Sequence, residues 1–166
     1  MKNGLHYFAY GSNMSIRRLA ARVSGARPRG SAILEGHELR FHKRGNDGSG
    51  KCDIYATDRE DARVFGALFT LPAGDKIILD RIEGLGAGYE EKVVPVIGTD
   101  GRRSQAVTYY ATDITDALRP FCWYRHHVLA GALEFDLPQD YIRTIVTVPY
   151  TDDRDDARRA REMSIY

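Results

Sequence analysis

The stretch that most constrains this chain is Tyr7-Phe8-Ala9-Tyr10-Gly11-Ser12-Asn13-Met14, where an aromatic strand runs without a spacer into a glycine turn and then a helix. Residues 5–10 are apolar and aromatic enough for a buried strand. Gly11 leaves no side chain to obstruct a ligand and tolerates backbone angles closed to other residues. Asn13 and Ser15 are both good helix caps, and Ile16, Leu19, Ala20 and Val23 recur at helical spacing with Arg17, Arg18 and Arg22 turned elsewhere. Amide hydrogens of the turn and of the first helical turn then converge where the helix dipole also favours negative charge, which suits a substrate carboxylate. The loop has neither the second Gly nor the Lys-Ser or Lys-Thr of a Walker loop, and no G-x-G-x-x-G follows the strand, so nucleotide binding is not indicated. Ser12 lacks the G-x-S-x-G elbow of a hydrolase nucleophile, and His6 is too near in sequence to orient as its base, which leaves Ser12 an orienting or turn-forming role.

A second stretch, Leu79-Asp80-Arg81-Ile82-Glu83-Gly84-Leu85-Gly86-Ala87-Gly88-Tyr89, follows an expected strand over residues 64–71. Asp75 is positioned to cap a short helix carrying Ile77, Ile78, Leu79 and Ile82, and Gly84 stops it. Glu83 therefore falls in the last helical turn, where the negative end of the dipole and partial desolvation both disfavour an ionised carboxyl. A carboxyl moved toward neutrality is what proton shuttling needs, because one group must accept a proton and later return it. Asp80, three residues earlier on the same face, is the local rival.

With both stretches in view the chain resembles the gamma-glutamylcyclotransferase family, which also takes in gamma-glutamylamine cyclotransferases and avirulence-induced plant proteins. The family's YGSN signature stands here as Tyr10-Gly11-Ser12-Asn13, and its D-x-x-E-G segment with a following Gly-x-Tyr looks like Asp80 to Gly84 with Gly88-Tyr89. The resemblance implies Glu83 as the catalytic glutamate, with Tyr10, Gly11, Ser12, Asn13 and Tyr89 facing substrate. It continues through Tyr124-Arg125-His126-His127-Val128-Leu129-Ala130-Gly131-Ala132 and Leu137-Pro138-Gln139-Asp140-Tyr141, similar to the family's helix, Gly-Ala turn, Leu-Pro and following helix. Tyr124 would then be the tyrosine that lines the pocket. Asp47-Gly48-Ser49-Gly50 and the chain after Tyr150 have no counterpart in the pattern.

The implied reaction fits these residues. In a gamma-glutamyl compound the α-amine can curl onto the γ-carbonyl and close a five-membered lactam, 5-oxoproline, expelling the remainder as an amine. The substrate supplies its own nucleophile, so neither metal, cofactor nor covalent serine is required, only a fold that holds the chain curled and a group that moves protons. The loop amides would hold either the α-carboxylate or the carbonyl oxygen. The leaving amine is left open: cysteinylglycine, an amino acid, the lysine ε-amine or another amine. Two other classes compete. A non-catalytic carboxylate- or peptide-binding module would keep Gly11, Ser12 and Asn13 without needing Glu83, and an interaction role through the terminal helix would need neither.

At 166 residues, 43% of them hydrophobic, the chain suits one domain. Its formal charge of +1 gives no general attraction to nucleic acid or anionic membrane. No apolar run reaches membrane-spanning length, and residues 1–4 lead toward the first strand without a secretory leader, so a cytoplasmic location is expected. Basic clusters at Arg17, Arg18 and Arg22 and at Arg27 and Arg29 read as a solvated helix face and loop. Cys52 and Cys122 form no C-x-x-C pattern, and His126-His127 face different ways on a helix, so neither a metal site nor a disulfide is indicated.

Strands are expected over residues 5–10, 32–42, 52–57, 64–71, 90–97 and 105–110, and helices over 15–23, 75–83, 121–132 and 138–146. The order does not alternate, which argues for an α+β fold over a doubly wound sheet. The resemblance implies a small mixed β-barrel with surrounding helices, a domain over residues 1–150. Residues 151–166 form a charged terminal helix or tail, with Thr151 as cap, acids early, bases late and Asp155 paired with Arg159. Nothing in the sequence bears on oligomeric state.

Overall fold

The computed structural model describes residues 4–166. Residues 1–3, on which part of the reading of the chain's start rests, lie outside the described residues. The elements run β1 (Leu5–Ala9), α1 (Ile16–Arg22), β2 (Arg27–Glu35), β3 (His37–Arg44), β4 (Gly50–Ala56), β5 (Arg63–Leu71), α2 (Ala73–Glu83), β6 (Tyr89–Gly98), β7 (Arg103–Ala111), α3 (Cys122–Glu134), α4 (Gln139–Val146) and α5 (Asp156–Met163).

Five strands close a barrel in the order β1-β5-β2-β6-β7, the mixed barrel that the resemblance implied within an α+β fold. Neighbours are antiparallel except at the seam, where β1 meets β7 in parallel at Tyr7 and Val107. Phe8, Val64, Phe69 and Val96 are fully or almost fully buried in the core, and Leu19 of α1 and Val128 of α3 join them. Burial of such side chains contributes roughly 1.5–3 kcal/mol each, so the strand alternation that places them inside fixes the register.

Residues 32–42, expected as one strand, are the ends of two. Gly36 sits between them in the left-handed region (φ 70°), turning the chain so that β2 joins the barrel and β3 pairs with β4 in a separate two-stranded sheet. Helix α2 begins two residues before Asp75, which is not its cap; the Asp75 carboxylate accepts from the Gly25 amide at 3.0 Å. Gly84 ends α2 as expected, in a left-handed conformation (φ 71°, ψ 47°). Gly131-Ala132, which the resemblance made a turn, lies inside α3. A Cβ on Gly131 would come 2.3 Å from that of Met14, so its bareness lets α3 press against the turn after β1.

The charged end of the chain forms α5, shorter than expected and capped by Asp155, which accepts from the Arg158 amide at 2.9 Å; Thr151 instead pairs with Phe121. Arg159 pairs with Asp156 and not with Asp155. Helix α5 docks through Glu162, which accepts from Arg18 and lies 3.1 Å from Nε2 of His127. Tyr166 follows, its Oη 2.7 Å from Nδ1 of His127 and 3.0 Å from Oγ of Ser15. Among the described residues no helix is long and apolar enough to cross a membrane.

Candidate active site

Strand β1 delivers Tyr10 and Gly11 to a single 3-10 turn, Ser12–Met14, and Ser15 then caps α1 by accepting from the Arg18 amide at 3.4 Å. The amides of Gly11, Ser12 and Asn13 donate to no acceptor among the described residues, but the first turn of α1 does not join them as expected: the Ile16 amide donates to Glu134 at 2.8 Å and that of Arg18 to Ser15. The reason for glycine at position 11 differs from the expected one. Its φ of −110° is not left-handed; the requirement is space, because a Cβ there would lie 2.9 Å from Cβ of Cys52 and 3.5 Å from the Tyr124 hydroxyl.

Facing the turn is the end of α2. Glu83 Oε1 accepts from Asn13 Nδ2 at 2.7 Å, and the same amide donates to the Tyr7 hydroxyl at 3.2 Å. Arg22 completes the group, donating to Asn13 Oδ1 at 3.2 Å and standing 3.7 Å from the Glu83 carboxylate. The Asn13 side chain is thus held at both ends, and it holds the glutamate in turn. Across the recess the Tyr124 hydroxyl accepts from the Cys52 amide at 3.0 Å and the Tyr89 hydroxyl donates to the Cys52 carbonyl at 2.6 Å. Burial first, and neighbouring groups after it, push the phenols of Tyr7, Tyr10, Tyr89 and Tyr124 above the ordinary tyrosine range, so all four are neutral hydrogen-bonding groups.

The seven residues singled out from the sequence, Tyr10, Gly11, Ser12, Asn13, Glu83, Tyr89 and Tyr124, all line this one recess, with Tyr7 and Cys52. Asp80 does not. Tyr109 donates to it at 2.6 Å and Lys76 pairs with it, one turn back along α2. Three contributors went unread. Tyr7 looked like strand filler, although it lies three residues before Tyr10 in the same aromatic run. Cys52 serves through its backbone, which leaves no mark in sequence. Arg22 was read as part of a solvated face, yet only Arg17 is exposed; Arg18 is buried against Glu162, and Arg22, four residues on, reaches the site. Their i,i+4 spacing was the available signal.

The recess is small, about 30 Å³, and opens onto a cleft of about 390 Å³. Ser12, Glu83, Tyr89 and Tyr124 belong to both. No group of side chains suited to a metal ion occurs among the described residues. The arrangement can hold an oxygen of a ligand on the loop amides and offer it one positioned carboxylate.

Comparison with known proteins agrees with this picture. A family profile described as the AIG2-like family matches residues 63–145, half of the chain. An uncharacterized protein from Homo sapiens has a similar crystal structure, with a TM-score of 0.87 at 24% identity over 99% of both chains. A gamma-glutamyl cyclotransferase follows with a TM-score of 0.85 at 22% identity, over 97% of this chain and 99% of that one. A gamma-glutamyl cyclotransferase specific to glutathione, from yeast, aligns with a TM-score of 0.63 at 11% identity, over 87% and 95%. At such identities the likeness establishes the shared fold. No curated protein sequence matches at the same significance.

Proposed function

This chain belongs to the AIG2-like family, and from that premise we propose that it is a gamma-glutamyl cyclotransferase-type enzyme, releasing 5-oxoproline and an amine from a gamma-glutamyl peptide or amide. The observation that carries the reading is the 2.7 Å hydrogen bond between Asn13 of the loop and Glu83 of α2, which sets a carboxylate beside three unpaired backbone amides. An anion-binding module would need the amides alone. Solved gamma-glutamyl cyclotransferases of the same fold support the choice.

In the reaction the glutamyl end enters the recess and its α-carboxylate or γ-carbonyl oxygen rests on the amides of Gly11, Ser12 and Asn13. The α-amine nitrogen attacks the γ-carbonyl carbon, and the new C–N bond closes the ring. Glu83 takes the proton shed by the amine and returns it to the leaving nitrogen as the old amide C–N bond breaks. Atoms balance without water, metal or cofactor. Holding the substrate curled contributes up to about 7 kcal/mol to lowering the barrier, and the positioned acid-base group adds a factor of about 10²–10⁴.

The test is a 5-oxoproline assay over a panel of gamma-glutamyl peptides, amides and amines, each run beside its N-acetylated form. Turnover of the free amine and none of the acetylated compound is expected, since a blocked amine cannot close the ring. Release of N-acetylglutamate from the blocked substrate would make the protein an amidohydrolase and sink the proposal.

A further inference from the structure

The cleft outside the recess receives whatever the glutamyl group is attached to, because the recess has room for little beyond the reacting end. Its walls carry six basic side chains against three acidic ones. Most of the basic groups are already matched. Lys51 pairs with Asp47 at 2.7 Å, Arg158 with Asp153 at 2.6 Å, Arg18 with Glu162, and Arg22 stands by Glu83.

Lys43 is different. It is 93% buried, being 7% exposed, yet its ammonium makes no ion pair and no hydrogen bond among the described residues. Asp113, Glu83 and Asp47 act on it only through space, and burial outweighs them, holding the ammonium below the usual lysine range. Its position is built. The Nζ lies 4.8 Å over the ring of Tyr89, which recess and cleft share. It also lies beside Gly88, where a Cβ would come within 3.1 Å of it. The Nζ itself still reaches the cleft, so a ligand there that supplies a carboxylate can pair with an ammonium that no residue of the protein partners. A cationic leaving group would face repulsion from this wall, and a neutral alkylamine would leave Lys43 as it stands.

We propose that Lys43 is a specificity residue that pairs with a carboxylate of the leaving group, so that this chain favours gamma-glutamyl amino acids and peptides over gamma-glutamyl amines. The inference rests on the cyclotransferase reading and narrows its substrate class.

The experiment measures kcat/KM for 5-oxoproline release from gamma-glutamyl-alanine, its C-terminal carboxamide and gamma-glutamyl-ethylamine, with the wild type, Lys43→Met and Lys43→Arg. The expected result is a wild-type preference for the free acid over the carboxamide of about ten- to a hundredfold, carried mainly by KM. That ratio should collapse toward one in Lys43→Met and persist in Lys43→Arg. Equal wild-type values for acid and carboxamide overturn the proposal, as does a Lys43→Met protein that slows all three substrates alike, which would assign the lysine to the glutamyl half. Should Lys43→Met fail to fold, the wild-type ratio and Lys43→Gln decide. Absence of 5-oxoproline from every substrate would instead remove the functional reading, and this inference with it.

Discussion

Asn13 and Glu83, seventy positions apart in the chain, meet in a 2.7 Å hydrogen bond that joins the loop after β1 to the last residue of α2. The bond brings an acid-base candidate to the unpaired amides, and Arg22 secures it from behind.

Replacing Glu83 with Gln keeps the shape of the site and an acceptor for Asn13 but removes the group that carries the proton. Single-turnover rates should fall by about 10²–10⁴ with the melting temperature nearly unchanged. Asp80→Asn should do the reverse, weakening the contacts of Lys76 and Tyr109 at a cost of about 1–2 kcal/mol while folded molecules keep most of their rate. A Glu83→Gln protein with near-normal turnover would remove the proposed shuttle.

For the cradle, Gly11→Val should hurt more than Ser12→Ala. Already at Cβ the new side chain meets Cys52 2.9 Å away, so the turn must shift and its amides lose their aim. A displacement near 1 Å at a reacting group costs on the order of a hundredfold in rate. Calorimetric titration with a gamma-glutamyl ligand, on protein shown to be folded by circular dichroism, separates lost binding from lost fold.

Arg22→Met should lower kcat by about ten- to a hundredfold while Arg22→Lys recovers part of it, because the guanidinium fixes Asn13 and through it Glu83. Since Arg22 acts through another side chain, KM should move less than kcat. Steady-state kinetics of both variants check this.

Stability should fall in acid through Glu162. Burial alone would raise its carboxyl, but the hydrogen bond with His127 and the charge of Arg18 outweigh it and hold the group at about 2. An unfolded glutamate titrates near 4.3, so this stabilisation is complete above roughly pH 5 and is lost as pH drops toward 2, an effect of about 2–3 kcal/mol at most. Burial lowers His127 as well, so charging it on unfolding acts in the same direction near its unfolded value of about 6.5. Thermal melts between pH 2 and 7 should show a steep acid limb in the wild type and a shallower one in Glu162→Gln.

Much of the recess was legible because its parts are local patterns. Tyr10 to Asn13 couples a strand to a helix start, and Glu83 stands just before a glycine stop, so both positions follow from short-range rules of turns and caps. What stayed hidden depends on distant neighbours. Arg22 and Lys43 look like ordinary surface charges until the fold draws them to the recess and the cleft, since nothing within a few residues tells a solvated cation from one at a site. Gly131 reads as a turn unless Met14 is known to press on it, and Gly36 divides a strand run that alternation alone carries straight through.

The parallel seam between β1 and β7 orders events in time. Tyr7 finds Val107, and the Thr108 hydroxyl finds the carbonyl of Phe8, only after about a hundred intervening residues have been made and arranged. Loops of that span close late, and folds dominated by them assemble in milliseconds to seconds where helical bundles take microseconds. During synthesis the loop residues emerge first and then wait: until β7 has left the ribosome the barrel stays open, and β1, which carries the loop, is flanked by β5 alone.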